Sequence, residues 1–240
     1  MKNLGKVFKE LRESRKISLR KATGDDFSAS LLSRFENGKS EISAQKLFVA
    51  LENIHANVEE LLFLARGFHQ DANSEFRNQL FKAVNPKDLT SLHTLYQREY
   101  QQIPFSKDKQ EHILNAILIK SYMKAIDETI TLTSEEERVL HDYLFSVEIW
   151  GLYELSFFSS CSPLLSVQLL TKYTREMLRK SDFLQGVGKK RNMMHTLLLN
   201  GFMTCIEADD FTNALYFKKQ IEKNFFEENE TYFRIVYLWA

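Results

Sequence analysis

Apolar residues recur every three or four positions along most of this chain, and little interrupts them: 240 residues contain only 3 prolines and 8 glycines. A spacing of three to four matches the 3.6-residue turn of an α-helix, and the strict alternation that marks a strand is absent. Scarce helix breakers leave long stretches free to stay helical. The fold class expected is all-α, with connections too short and too poor in turn residues for a β-rich domain.

The first 66 residues read as five short helices, each with a start signal. Leu4, Val7, Phe8 and Leu11 share one face of a helix running to about Arg15. Ser18 suits the N-cap of a helix over 19–23, with Gly24-Asp25-Asp26 after it. Ser28 suits the cap of a third helix, which carries Leu31, Leu32 and Phe35 as core residues and stops at Asn37-Gly38. Ser43 precedes a fourth helix with Leu47, Phe48, Ala50 and Leu51 inward. Asn57 with Glu60 forms a capping-box pattern for a fifth. Residues 1–66 are therefore expected to form one domain.

Residues 67–240 show longer amphipathic stretches, expected as helices near 72–84, 87–101, 108–128, 134–148, 149–159, 164–180, 189–208, 210–225 and 229–239. Pro86, Pro104, Thr133-Ser134, Pro163 and Gly186-Val187-Gly188 punctuate them. Helices joined by short links suggest stacked pairs, a solenoid-like array. Ala214 and Phe217 have the small-then-aromatic spacing of tetratricopeptide second helices. The apolar end, Tyr232 to Ala240, suggests a face covered by a partner subunit or a shortened chain.

Lys plus Arg and Asp plus Glu both number 32, so the net charge is zero, yet it is unevenly placed. Met1–Gly24 holds eight basic residues against Glu10 and Glu13, an excess of six that the rest must balance. A basic head suits phosphate contact, and a solvated helix face is the plainer alternative. Cys161 and Cys205 have no metal-ligand spacing and read as buried thiols in a reducing cytosol. No apolar signal core or membrane span is present, so a cytoplasmic protein without membrane contact is expected. Six histidines occur without HExxH, and there is no GxSxG, GxGxxG or P-loop. These absences argue against an enzyme and against a cofactor.

The stretch Ser28-Ala29-Ser30-Leu31-Leu32-Ser33-Arg34-Phe35-Glu36-Asn37-Gly38-Lys39-Ser40-Glu41-Ile42-Ser43 closely resembles the recognition helix and following turn of phage-repressor-like (XRE/Cro type) domains. Its S-R-F-E-x-G-x-S-E-I-S form resembles the Rgg/GadR/MutR regulators. Trp150-Gly151-Leu152-Tyr153-Glu154-Leu155, then Arg191, Leu198-Leu199-Asn200 and 209–217, are similar to that family's helical effector domain in the same order. The resemblance implies a cytosolic homodimer, a helix-turn-helix domain over 1–66, and a TPR-like domain over 67–240 that receives a short signalling peptide. Where some members carry a redox-responsive cysteine after the position of Ser43, this chain has Ala44. Ser159-Ser160 stands where many have an asparagine, and members are usually longer at the C-terminus.

In a helix-turn-helix the start of the second helix faces base edges while the first crosses the backbone. That places Ser28, Ala29, Ser30, Ser33 and Arg34 at the groove of double-stranded DNA. Arg34 can bind a guanine, hold a phosphate, or pair with Glu36 or Glu41. Arg12, Arg15, Lys16, Arg20 and Lys39 are candidates for phosphates. A single small domain offers few base contacts, so two copies on an inverted-repeat operator are expected. A concave helical surface suits an extended peptide. Asn200 either clamps a ligand backbone or bonds a neighbouring helix, and Arg191 either meets a peptide carboxylate or stays solvated. Tyr153 and Tyr232, with Phe157 and Phe158, line pockets or belong to the core. The alternative function is a regulator whose helical body binds a protein partner or a small molecule instead of a peptide.

Overall fold

The computed structural model describes residues 2–67, 72–180, 188–224 and the positions 234, 235, 237 and 238. Among them every regular element is a helix. The chain divides into two compact units, Met1–Gln79 and Leu80–Ala240.

The first unit opens with α1 (Leu4–Ser14), α2 (Leu19–Thr23), α3 (Ala29–Glu36), α4 (Ala44–Asn53) and α5 (Val58–Ala65). Each begins where a short polar side chain bonds a free N–H of the first turn: Asn3 accepts from Lys6, Ser18 from Lys21, Ser28 from Leu31, Ser43 from Lys46 and Asn57 from Glu60. The expected capping box on α5 is half formed, because the Glu60 carboxylate is turned toward Arg15. Val7, Phe8, Leu11, Ala22, Leu32, Phe35, Leu51, Ile54 and Leu61 close one core. Gly5 sits where α1 presses on α3, and a Cβ there would lie 2.0 Å from the Phe35 carbonyl oxygen.

The helix α6 (Ala72–Val84) crosses the division between the units. The second unit continues with α7 (Leu89–Gln102), α8 (Lys109–Lys124), α9 (Ser134–Ser146), α10 (Leu152–Cys161), α11 (Val167–Lys180), α12 (Gly188–Glu207) and α13 (Phe211–Asn224). α10 and α11 start three residues later than their spacing predicts. Ser162–Leu164, with Pro163 inside, forms a separate 3-10 turn. α8, α10 and α12 pack in a central row. α7 and α9 lie against α8, and α11 and α13 against α12. Nine positions of α8 between Ile113 and Met123 are buried, which accounts for its apolar run Ile113–Ile119, interrupted only by Asn115.

Two devices fix this body. The first is a buried ion pair: Lys120 on α8 donates to Glu136 on α9 at 2.6 Å, and Tyr96 on α7 donates to the other carboxylate oxygen at 3.0 Å. Burial opposes the charge on Glu136. Lys120, the Thr133 N–H and Tyr96 outweigh it and hold the carboxyl below its usual range. The second is close packing of α12 on α13. A Cβ at Gly201 would meet the Phe217 ring at 2.4 Å, so the small-then-aromatic pair Ala214 and Phe217 works against a glycine on the facing helix.

Helix ends follow one recurring plan. After α1, α4, α6 and α12 the chain turns through a residue at φ +55°, namely Lys16, His55, Lys87 and Asp209. At each, the next N–H bonds the carbonyl five residues back, as in Ile17 to Arg12 and Ala56 to Leu51. This is the Schellman closure, which usually takes glycine. The turn after α3 does supply one, Gly38, and Gly67 follows α5 at φ +70°.

Candidate functional site

α2, the turn 24–28 and α3 form the helix-turn-helix. Gly24, at φ +55°, ends α2, and Asn53 on α4 donates to the Ala22 carbonyl at 3.1 Å, holding the pair in place. On α3, Leu32 and Phe35 face the core, and Ser28, Ser30 and Arg34 are exposed, with Ala29 and Ser33 half-buried. Ser28 also caps the helix. Among the described residues Arg34 takes part in no ion pair, and Glu36 is taken by another partner. Five expected reading residues thus lie together on the outer side of one capped helix.

The expected phosphate residues separate. Lys16, Arg20 and Lys39 are exposed. Arg15 is half-buried, with one amino group shared between both oxygens of Glu60 at 2.7 and 3.0 Å. Arg12 requires a correction. It is 7% exposed, and its guanidinium spans the two oxygens of Glu36 at 2.6 and 2.7 Å, with a third donor on the Ile17 carbonyl at 2.8 Å. The bond to Glu36 raises the Arg12 pKa further, against the opposing effect of burial. With its donors spent inside, Arg12 joins α1 to α3 instead of holding DNA. Its position at i+4 from Phe8 and i+1 from Leu11, on the inner face of α1, was the signal for this role.

In the second unit Tyr153 is half-buried on α10, its ring stacked on Phe157 with centroids 6.2 Å apart. Asn200 and Arg191 are half-buried on α12. They cannot face one groove together: nine residues along an α-helix is half a turn of rotation and about 13.5 Å of rise. Arg191 lies on the side of His195 and Leu198, and its charge adds to the burial that pushes His195 down to about 3. Asn200 instead shares a side with Met193, Thr196 and Met203, all half-buried. On α10 the matching half-buried side is Tyr153, Ser156 and Ser160, and Ser160 lies 3.4 Å from the Tyr122 hydroxyl of α8. These half-buried sides of α10 and α12 carry hydroxyls, an amide and flexible thioethers. No motif marks Tyr122, Thr196 or Met193, and only helical period counted from Asn200 leads to the two on α12. Tyr232 lies outside the described residues. Glu154 has a local task, accepting the Gly151 N–H at 2.9 Å to start α10. Cys161 and Cys205 are buried free thiols, each raised in pKa chiefly by desolvation. Among the described residues no cluster of acidic, histidine or cysteine side chains could hold a metal ion, and no helix is long and apolar enough to cross a membrane.

A repressor-like helix-turn-helix unit followed by a TPR-like helical body defines a class of transcriptional regulator. The family model described as "HTH-type transcriptional regulator Rgg, C-terminal domain" matches residues 93–240, and the chain belongs to the Rgg family. Its fold is similar to that of a cysteine-to-serine variant of the SHP pheromone receptor Rgg2 of Streptococcus dysgalactiae, at a TM-score of 0.79 and 25% identity over 99% of this chain and 84% of that one. A candidate transcriptional regulator from Listeria monocytogenes EGD-e matches with a TM-score of 0.74 at 18% identity, covering 98% and 81% of the two chains. The PrgX/iCF10 complex matches with a TM-score of 0.65 at 16% identity, covering 93% and 74%. The protein is a regulator of transcription and not an enzyme.

Proposed function

We propose that this protein binds DNA as a homodimer through residues 1–66 and is controlled by a short peptide held on the helical domain that follows. The carrying observation for DNA is α3: its inner face is bolted to α1 through Arg12 and Glu36, while Ser28, Ser30 and Arg34 are left outward. A rigidly seated helix with serine hydroxyls and one arginine can enter a major groove. Lys16, Arg20 and Lys39 supply phosphate contacts. Two copies reading an inverted repeat would give the affinity that one small domain lacks.

The peptide reading is supported by similar proteins: a pheromone receptor, a receptor seen with a bacterial peptide pheromone, and PrgX seen with iCF10. The half-buried row of Tyr122, Tyr153, Ser156, Ser160, Thr196 and Asn200 offers hydroxyl and amide partners for an extended backbone. Peptide binding would favour one arrangement of the dimer and so shift operator affinity. Genomic footprinting with and without spent culture medium tests both parts. Loss of protection by the Ser30→Ala/Arg34→Ala double variant supports the reading face, and unchanged protection refutes it. An unchanged response to medium in Ser160→Ala/Asn200→Ala refutes the peptide face. A monomer at micromolar concentration refutes the two-half-site operator.

A further inference from the structure

Between α9 and α11 lies a cleft of about 650 Å³ that neither the DNA face nor the peptide face uses. Its walls are Leu144–Ser146 at the end of α9, the linker through Trp150, and Lys172, Tyr173, Glu176, Arg179 and Lys180 of α11. The two helices touch through the rings of His141 and Tyr173, 6.2 Å apart, and the cleft begins one turn further along α9. Lys180 donates to the Val147 carbonyl at 2.8 Å, tying the two walls together at one end.

We infer that this cleft is a binding site for a small amphiphilic anion, a carboxylate carried on an apolar chain or ring. Three observations carry the inference. The floor is apolar and well packed: Leu144, Val147, Trp150 and Tyr173 are all buried. The indole N–H of Trp150 is buried without a hydrogen-bond acceptor among the described residues, which is an uncommon arrangement for a group that water would otherwise satisfy. The rim is cationic, with Lys172, Arg179 and Lys180 against Glu148 and Glu176. Lys180 is committed to Val147 and Arg179 to Glu176 at 2.9 Å. Lys172 lies over the face of Phe145, 6.0 Å from its ammonium to the ring centroid, and its charge also acts on Glu176 one turn along α11. No hydrogen bond or close ion pair holds its ammonium among the described residues, so it is the cation placed to receive a carboxylate. Phe145 is 73% exposed at the mouth and would cover the apolar part of the ligand.

The volume sits within the range that encloses a medium-sized ligand. An extended polypeptide needs an open groove, and the Lys180 bridge closes one end of this one. A ligand here would span the outer helices α9 and α11 and so fix their spacing, a control point separate from the central row.

The test uses the full chain with Trp239→Phe, so that emission reports Trp150 alone. Decanoate is titrated below its micelle-forming concentration, with decanol as the neutral control. The expected result is a saturable change in Trp150 emission with decanoate, and binding of decanol weaker by about tenfold, the loss of one charge-assisted contact. Lys172→Gln should bring decanoate down to the decanol level, while Phe145→Ala weakens both. Lys172 and Phe145 are surface positions, and far-ultraviolet circular dichroism checks that each variant stays folded. Absence of saturation, equal affinity for decanoate and decanol, or indifference to Lys172→Gln would overturn the assignment. Displacement of decanoate by a short acidic peptide at lower concentration than decanoate itself would also overturn it, in favour of a polypeptide dock. None of these outcomes bears on whether residues 1–66 bind DNA.

Discussion

Replacing Arg12 by alanine should damage the first unit far more than replacing any other arginine of the basic head. Arg12 gives three donors to Glu36 and Ile17, and Glu36 is only 2% exposed, so removing the guanidinium strands a buried carboxylate. Breaking a buried pair from one side costs about 3–5 kcal/mol. The half-exposed Arg15–Glu60 pair makes the internal comparison, and its loss should cost about 0.2–1 kcal/mol. All nine tyrosines and both tryptophans lie beyond residue 95, so fluorescence is blind to this unit. The suitable assay is native-state hydrogen exchange by mass spectrometry, following amides of α1 and α3 in the full chain. Arg12→Ala should lower their opening free energy by about 3–5 kcal/mol. Arg15→Ala should lower it by less than about 1 kcal/mol. Arg20→Ala should leave exchange unchanged and instead reduce the salt slope of DNA binding by about one ion. Equal exchange in the Arg12 and Arg15 variants would refute the claim that burial, and not the mere presence of an ion pair, gives the contact its weight.

Three further outcomes follow from the geometry. His195 is buried and held down to about 3, first by desolvation and then by Arg191, below the unfolded value of 6.5. The unfolded chain therefore binds the extra proton between these values, and the second unit should keep full stability above pH 6.5 and lose up to about 1.4 kcal/mol per pH unit beneath it. Urea titrations at pH 7 and pH 5 measure this, and a His195→Gln variant with the same pH slope would exclude His195 as its source. Gly201→Ala drives a methyl into the Phe217 ring and should cost about 1–3 kcal/mol in urea unfolding followed by tryptophan emission. His55→Gly relieves a left-handed backbone at an exposed position and should stabilise α4 by about 0.5–1 kcal/mol in the exchange assay, whereas destabilisation would show that the histidine side chain has a role the backbone does not reveal.

Helix starts were legible in the sequence because an N-cap is a local chemical act. Ser18, Ser28, Ser43 and Thr133 announce themselves by residue type alone. Helix ends were less so, since Lys16, His55, Lys87 and Asp209 take the left-handed turn that glycine would have signalled. The outward side of α3, with Ser30 and Arg34, followed from helical period. The fate of Arg12 did not, because charge counts treat all arginines alike and only the burial of Glu36, 24 residues away, separates them. Asn200 and Arg191 were paired by chemical type, though helical rotation sets them on opposite sides of α12. The α9–α11 cleft joins residues more than twenty positions apart on a linker and a helix, and no local pattern foretells it.

The deep burial of α8 along Ile113–Met123 decides where this molecule can be divided for study. α7, α9 and α10 are its walls, so a boundary placed anywhere from 89 to 161 would hand solvent a helix with nine buried positions. Any fragment meant to isolate the second unit must therefore carry α7 whole, Asp88 cap included, or it will be an aggregating species whose failure to bind says nothing about the intact protein.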